Sequence, residues 1–95
     1  RETILEALKL NKPKLSAFGI RSVGLFGSYL RNEQSSESDI DLLIDFEPEH
    51  ENFDNYMAVY DLFEIIFKEE KIEVVTKKGL SPYLGPKILE EVQYV

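Results

Sequence analysis

The stretch Asp39-Ile40-Asp41-Leu42-Leu43-Ile44-Asp45 decides the fold. Ile40, Leu42 and Ile44 alternate with Asp39, Asp41, Leu43 and Asp45, and a period of two is that of a β-strand, whose successive side chains point to opposite faces. Such a strand turns its aliphatic residues toward a core and presents Asp39 and Asp41 side by side on the other face. The aliphatic face must then be covered by helices, and the carboxylate face must open to a cleft.

Upstream, apolar residues are dense across positions 20–26, with Val23, Leu25 and Phe26 around Gly24. This predicts a buried strand whose glycine permits close approach of another backbone. It runs straight into Gly27-Ser28, and the polar residues 32–38 form a solvated loop before the acidic strand. Nearer the start, Ile4, Leu5 and Leu8 fall at helical spacing. Asn11 and Pro13 end that helix and begin a second short one carrying Leu15 and Phe18, closed by Gly19.

Downstream, residues 47–52 form an acidic connector in which His50 is a solvent-exposed loop residue. Residues 53–68 give the clearest helix: Phe53, Tyr56, Tyr60, Phe63 and Phe67 recur by threes and fours, against a polar row through Asp54, Asp61 and Lys68. Ile65 falls in that polar row, and with the heavy aromatic content it points to a part of this helix that meets another chain. Ile72, Val74 and Val75 make a third short strand with Glu73 on the face opposite Ile72 and Val74. Gly79, Pro82, Gly85 and Pro86 punctuate a loop and a final helix ending near Val92, leaving Tyr94 and Val95 as a tail or docking strand. The order predicts an α/β fold, a small mixed β-sheet of three strands flanked by helices, in a single domain over residues 1–95 without repeats or linkers.

Composition narrows the function. Eighteen acidic against 11 basic residues give a net charge of −7, which argues against direct nucleic-acid binding, because that grip comes from clustered Lys and Arg. With no cysteine and one histidine, thiolate and histidine-rich metal sites are excluded, leaving metal chemistry with oxygen ligands. Residues 1–14 lack the continuous apolar run of a signal peptide, and no apolar run is long enough to span a bilayer, so the expectation is a cytoplasmic protein with no membrane contact.

The parts needed to handle a metal-bound triphosphate are present: Gly27-Ser28, ten residues, Asp39-Ile40-Asp41, and Glu73 on a separate strand. Gly27 removes a side chain where backbone must approach a phosphate. If a short helix starts at Ser28, its unpaired N–H groups face the anion, and the hydroxyl adds a donor. Two aspartates at i and i+2 on a strand are a natural seat for Mg²⁺, which takes few carboxylates and completes its octahedron with water and phosphate. Two such ions polarise an α-phosphate, activate a hydroxyl and stabilise departing pyrophosphate. Glu73 completes the ion site nearest the attacking hydroxyl and serves as its proton acceptor. Arg31 neutralises triphosphate charge or pairs with a nearby acid, and Lys77 and Lys78 do the same or are simply solvated. The competing reading has Asp39 and Asp41 solubilising an edge strand while Glu73 pairs with Lys71.

The segments GSYLRNEQSSESDIDLLIDF (residues 27–46) and KIEVVTKKGLSPYLGPKILEEVQYV (residues 71–95) resemble the minimal nucleotidyltransferases of the DNA polymerase β superfamily. More narrowly they resemble the MNT antitoxins of HEPN/MNT toxin–antitoxin modules. The resemblance implies the polymerase β-like fold and an acidic antitoxin that binds a HEPN-domain ribonuclease and transfers AMP from ATP to one of its tyrosines. It implies nucleotide binding by Gly27, Ser28, Arg31 and Ser38, and catalysis with two Mg²⁺ ions held by Asp39, Asp41 and Glu73. Glu73 stands where aspartate is more usual, one methylene longer. Leu30 and Asn32 stand where alanine and glycine commonly flank Arg31; asparagine tolerates a left-handed backbone, and Leu30 must find a pocket.

Two other functions remain open on the sequence: an antitoxin that blocks its toxin by docking alone, and nucleotidyl transfer to a small molecule or an RNA end. The last needs a substrate domain or a basic groove, and neither is visible. Both a homodimer and a hetero-oligomer with the toxin are compatible with the chain.

Overall fold

The computed structural model describes residues 2–95. The chain runs through α1 (Glu2–Leu10), α2 (Lys12–Ala17), β1 (Ile20–Phe26), α3 (Ser28–Arg31), β2 (Ile40–Phe46), α4 (Phe53–Ile66), β3 (Ile72–Thr76), α5 (Gly85–Glu91) and β4 (Gln93–Tyr94). The sheet order is β3-β2-β1-β4. β1 is antiparallel to β2 and to β4, whereas β2 and β3 are parallel. The sheet is therefore mixed, as expected, but has four strands among the described residues instead of three. The last residues dock on β1 through Gly24 opposite Tyr94 and Leu25 opposite Gln93.

Local chemistry explains the breaks. The Asn11 backbone N–H donates to the carbonyls of Ala7 and Leu8, and its side-chain amide donates to Ala7 at 2.8 Å. Asn11 thus finishes α1, while Pro13 takes a first-turn position of α2, where a missing N–H costs nothing. The Asn52 side chain accepts the Asn55 N–H at 2.8 Å and starts α4. A parallel pair cannot be joined by a hairpin, and α4 provides the crossover from β2 to β3.

Ile40, Leu42 and Ile44 are fully buried and share one core with Ile4 and Leu8 of α1, Leu15 of α2, and Val59 and Phe63 of α4. The alternation read from the sequence therefore sets the inside of the fold. Leu43 (1% exposed) and Phe26 (8%) are also buried but lie outside that cluster; by strand alternation Leu43 belongs to the carboxylate face, so that face is closed around Leu43. The α4 row departs from expectation at its start: Phe53 is 74% exposed. It occupies the first turn and lines a groove with Tyr56, Val74 and Thr76 beside β3 instead of entering the core. Ile65 is 72% exposed, as its place in the polar row requires. His50 lies in a 3₁₀ turn, Pro48–His50, and a Cβ on Gly19 would meet the His50 Cβ at 2.2 Å.

Gly24 is the close-approach glycine foreseen in β1. A Cβ there would lie 2.6 Å from Val92 Cγ2 and 2.9 Å from the Gln93 carbonyl oxygen. Gly24→Ala is expected to push β4 off the sheet edge and to cost about 1–3 kcal/mol, in line with overpacking at a tight contact. Urea unfolding measures the loss, and amide exchange must rise at Gln93 and Tyr94; unchanged exchange there would contradict the packing described.

Candidate nucleotide and metal site

The site forms where β1 ends. Phe26 pairs with Asp41 across the antiparallel β1–β2 ladder, and Asp41 pairs with Glu73 across the parallel β2–β3 ladder. Gly27, the residue just past β1, Asp41 on β2 and Glu73 on β3 are thus brought side by side by register. Gly27 has φ 80° and ψ −159°, a conformation that L side chains rarely adopt. A Cβ at Gly27 would also lie 2.1 Å from Asp41 Oδ2. The glycine is needed twice over, for its backbone and for the carboxylate packed against it.

Beyond Gly27 the chain makes one helical turn, α3, and leaves it through Asn32 at φ 61°. The asparagine provides the left-handed exit that glycine would otherwise supply, and the Glu33 N–H closes the turn on the Ser28 carbonyl at 2.8 Å. Leu30 finds its pocket by packing against the main core. Neighbouring Tyr29 donates its hydroxyl to Glu70 at 2.8 Å.

The electrostatics separate the acids of β2. Asp45 is paired with Arg21, whose Nε lies 2.9 Å from Oδ2. Asp41, on the same face of the strand, makes no ion pair among the described residues and is paired in register with Glu73. Burial pushes the Asp41 carboxyl up to about 6; the charge of Glu73, a hydrogen bond shared with it and the charge of Asp39 add to the rise, while Arg31 opposes it. Among the described residues, no ion pair joins Glu73 to Lys71. Asp39 sits just before β2, half-buried.

Three acids gathered with little compensating charge fit a hard divalent cation, which would relieve their repulsion and accept their oxygens. Among the described residues no three acidic or histidine groups converge closely enough to hold an ion as they stand. The arrangement is an Asp41–Glu73 pair with Asp39 beside it, and bound phosphate would supply the remaining oxygens. Ser28 opens α3 next to this pair. The Ser38 hydroxyl, one residue before Asp39, accepts the Ser35 N–H at 2.9 Å and so ties down the loop leading into β2.

The structure chooses between alternatives that the sequence left open for Lys77, Lys78 and Arg31. Lys77 and Lys78 share a groove with Arg21, Asp45 and Glu51 at the far end of β2 and β3. Lys77 is four residues beyond Glu73, roughly 13 Å along a strand, so both lysines leave the site. Arg31 pairs with acids: its Nε meets Glu33 Oε1 at 2.9 Å and its NH1 meets Glu91 Oε1. Glu91, from α5, also accepts the Gly27 N–H at 3.0 Å. Burial alone would raise its carboxyl, but the bonds from Arg31 and from Gly27 bring it below its ordinary value. Nothing in the local sequence distinguishes Glu91 from Glu90; only the docking of β4 places it here.

With a Gly-Ser turn after β1, two spaced aspartates at the start of β2 and a third acid in register on β3, the chain belongs to the nucleotidyltransferase domain family, which matches residues 2–95. It is 37% identical over 95 residues to a Methanocaldococcus jannaschii protein provisionally named a protein adenylyltransferase, covering 97% of this chain and 94% of that one. It is 35% identical over 94 residues to the protein adenylyltransferase MntA of Thermococcus cleftensis, covering 99% and 91%. Its fold matches that of a candidate minimal nucleotidyltransferase with a TM-score of 0.74 at 28% identity, over 94% of this chain and 93% of the other. A toxin–antitoxin structure with AMP-PNP matches with a TM-score of 0.61 over 98% of this chain and 69% of the other; at 22% identity that likeness is one of fold.

Two measurements check the geometry. Gly27→Ala is expected to cost about 1–3 kcal/mol, from backbone strain and the displaced Asp41 carboxylate, measured by urea unfolding. In chelator, Asp41→Asn is expected to stabilise the chain by about 1 kcal/mol at neutral pH, a figure reduced for solvent screening. The Asp41 value near 6 in the folded state exceeds the 3.8 of a free carboxyl. Its ionisation therefore penalises folding fully above pH 6, and the penalty fades as pH falls toward the free value. The stability gap between variant and parent must close over that window; a gap independent of pH would mean that Asp41 is not held among acids.

Proposed function

We propose that this chain is an antitoxin adenylyltransferase that transfers AMP from ATP to a tyrosine of a partner HEPN-domain ribonuclease. The observation that carries the proposal is the register that sets Glu73 directly beside Asp41, with Gly27 packed under the Asp41 carboxylate. Its relative in Thermococcus cleftensis bears the name protein adenylyltransferase, and the fold is shared with a toxin–antitoxin structure that contains AMP-PNP. Those likenesses support a protein acceptor and an adenine nucleotide as donor. The exposed Phe53 and Ile65 of α4 support a protein partner.

In this reading Asp39, Asp41 and Glu73 hold Mg²⁺, taken as two ions. When bound, Mg²⁺ neutralises triphosphate charge and lowers the pKa of the acceptor hydroxyl. Gly27 and Ser28 bring backbone and hydroxyl donors to the phosphates, Arg31 adds positive charge, and Ser38 fixes the approach to Asp39. Glu73, exposed at the cleft, takes the proton from the tyrosine hydroxyl. The phenolic oxygen then bonds to the α-phosphorus as the bond to the bridging oxygen breaks, and pyrophosphate leaves. With three acids in one place, the site needs cations before it accepts a further polyanion.

A second reading, an antitoxin that acts by docking alone, is favoured by one observation: Arg31 and the Gly27 N–H are both engaged by Glu91. Incubation of chain and HEPN partner with ATP and Mg²⁺, followed by intact-protein mass spectrometry, separates the two. The expected result is one or more AMP-sized additions on the partner, at least 100-fold fewer with the Asp39→Asn, Asp41→Asn double variant, an order-of-magnitude expectation for lost metal-assisted transfer. An unmodified partner in a tight complex would establish docking alone.

A further inference from the structure

Glu91 is the acid that the reaction above does not use, yet it occupies the groups on which phosphate binding depends. Its Oε2 accepts the Gly27 N–H at 3.0 Å, and its Oε1 takes the Arg31 guanidinium. The Glu91 side chain is 22% exposed, against 65% for Glu33, the other acid on Arg31. Glu33 is a solvated neighbour, whereas Glu91 is held in place. What holds it is close at hand in the chain: the Val92 N–H closes α5 on the Ile88 carbonyl at 2.9 Å, Gln93 and Tyr94 pair with β1, and the Val95 N–H reaches the Val23 carbonyl at 3.1 Å. The docked strand thus delivers one carboxylate to the end of β1.

A carboxylate oxygen and a phosphate oxygen seek the same donors, and one N–H has room for one well-aligned acceptor. We propose that Glu91 is a built-in competitor of the nucleotide: α5 places a carboxylate where a phosphate oxygen of the triphosphate binds, so that nucleotide binding and release of Glu91 are one equilibrium. This rests on Gly27 and Arg31 being phosphate-binding, as in the proposed function. Nucleotide affinity is then set by how firmly α5 and β4 are seated, and any contact that shifts this segment changes affinity at the site. The opposite role, in which Glu91 organises Gly27 and Arg31 for the phosphates, predicts an effect of opposite sign.

Calorimetric titration of the full chain with ATP and Mg²⁺ distinguishes them. Glu91→Gln and Glu91→Ala are expected to bind roughly five- to tenfold more tightly than the parent, a size set by one partly exposed charge pair and one hydrogen bond. Equal or weaker binding by folded variants would overturn the competitor and leave the phosphate site standing. Absence of binding by parent and variants alike would overturn the phosphate-site reading and this inference with it. In the unmutated chain, ATP with Mg²⁺ is expected to raise amide exchange at residues 88–92 severalfold while slowing it at Gly27. Exchange at 88–92 that stays constant or slows would overturn the proposal without recourse to any variant.

Discussion

Strand register brings like charges together here, and much else in the molecule follows from it. Asp41 and Glu73 are paired positions on parallel β2 and β3, so their carboxylates meet because the backbone ladders fix them there. The two positions cannot separate without a slip of register, and a slip by one residue would turn Ile40, Leu42 and Ile44 out of the core. The buried aliphatic face therefore enforces the strained acidic face. Burial is the largest single cause that lifts Asp41 toward 6, and Glu73 and Asp39 add to it.

The rest of the site follows the same logic of enforced contact. Antiparallel pairing of Phe26 with Asp41 sets Gly27 just past the acid, and the space between them admits no Cβ. A chain that must turn there with a positive φ is sent into α3, and α3 carries Ser28 and Arg31 past the same acids. Loop chemistry is thus subordinate to sheet chemistry: residues 32–38 can be polar and solvated because the loop is pinned by α3 at one end and β2 at the other. Asp45 shows the contrast on a single strand. It shares a face with Asp41, but Arg21 neutralises it, so at that end of β2 an acid contributes to the surface and not to a site.

Much of this was legible in the sequence because it depends on short-period patterns. Alternation in 39–45, the dense apolar run before Gly27, and Glu73 within a β-branched run carried the mixed sheet, the direction of the acids and the need for Gly27. Gly24 was readable as a close-approach glycine because a strand interior rarely tolerates one without reason. What was not legible depends on distant contacts. Gln93 and Tyr94 form a strand only because β1 offers an open edge, and so short a stretch carries no periodicity that could decide between the tail and the docking strand left open by the sequence. Phe53 fits the helical row yet stands outside the core, since periodicity reports angle around a helix and not where the helix overhangs the sheet. Lys77 and Lys78 looked available because they follow the acidic strand closely in sequence; strand rise carries them to the other end of it.

The C-terminal segment joins these two kinds of constraint. β4 covers the edge of β1 that would otherwise present unpaired backbone groups, and the last residue of α5, Glu91, satisfies the Gly27 N–H and the Arg31 guanidinium. One stretch of chain therefore completes the sheet and fills the anion cradle. A completed sheet favours the docked segment, while a polyanion at Gly27 disfavours one of its contacts. The strength of β4 pairing and the openness of the cradle are thus opposed through a single carboxylate.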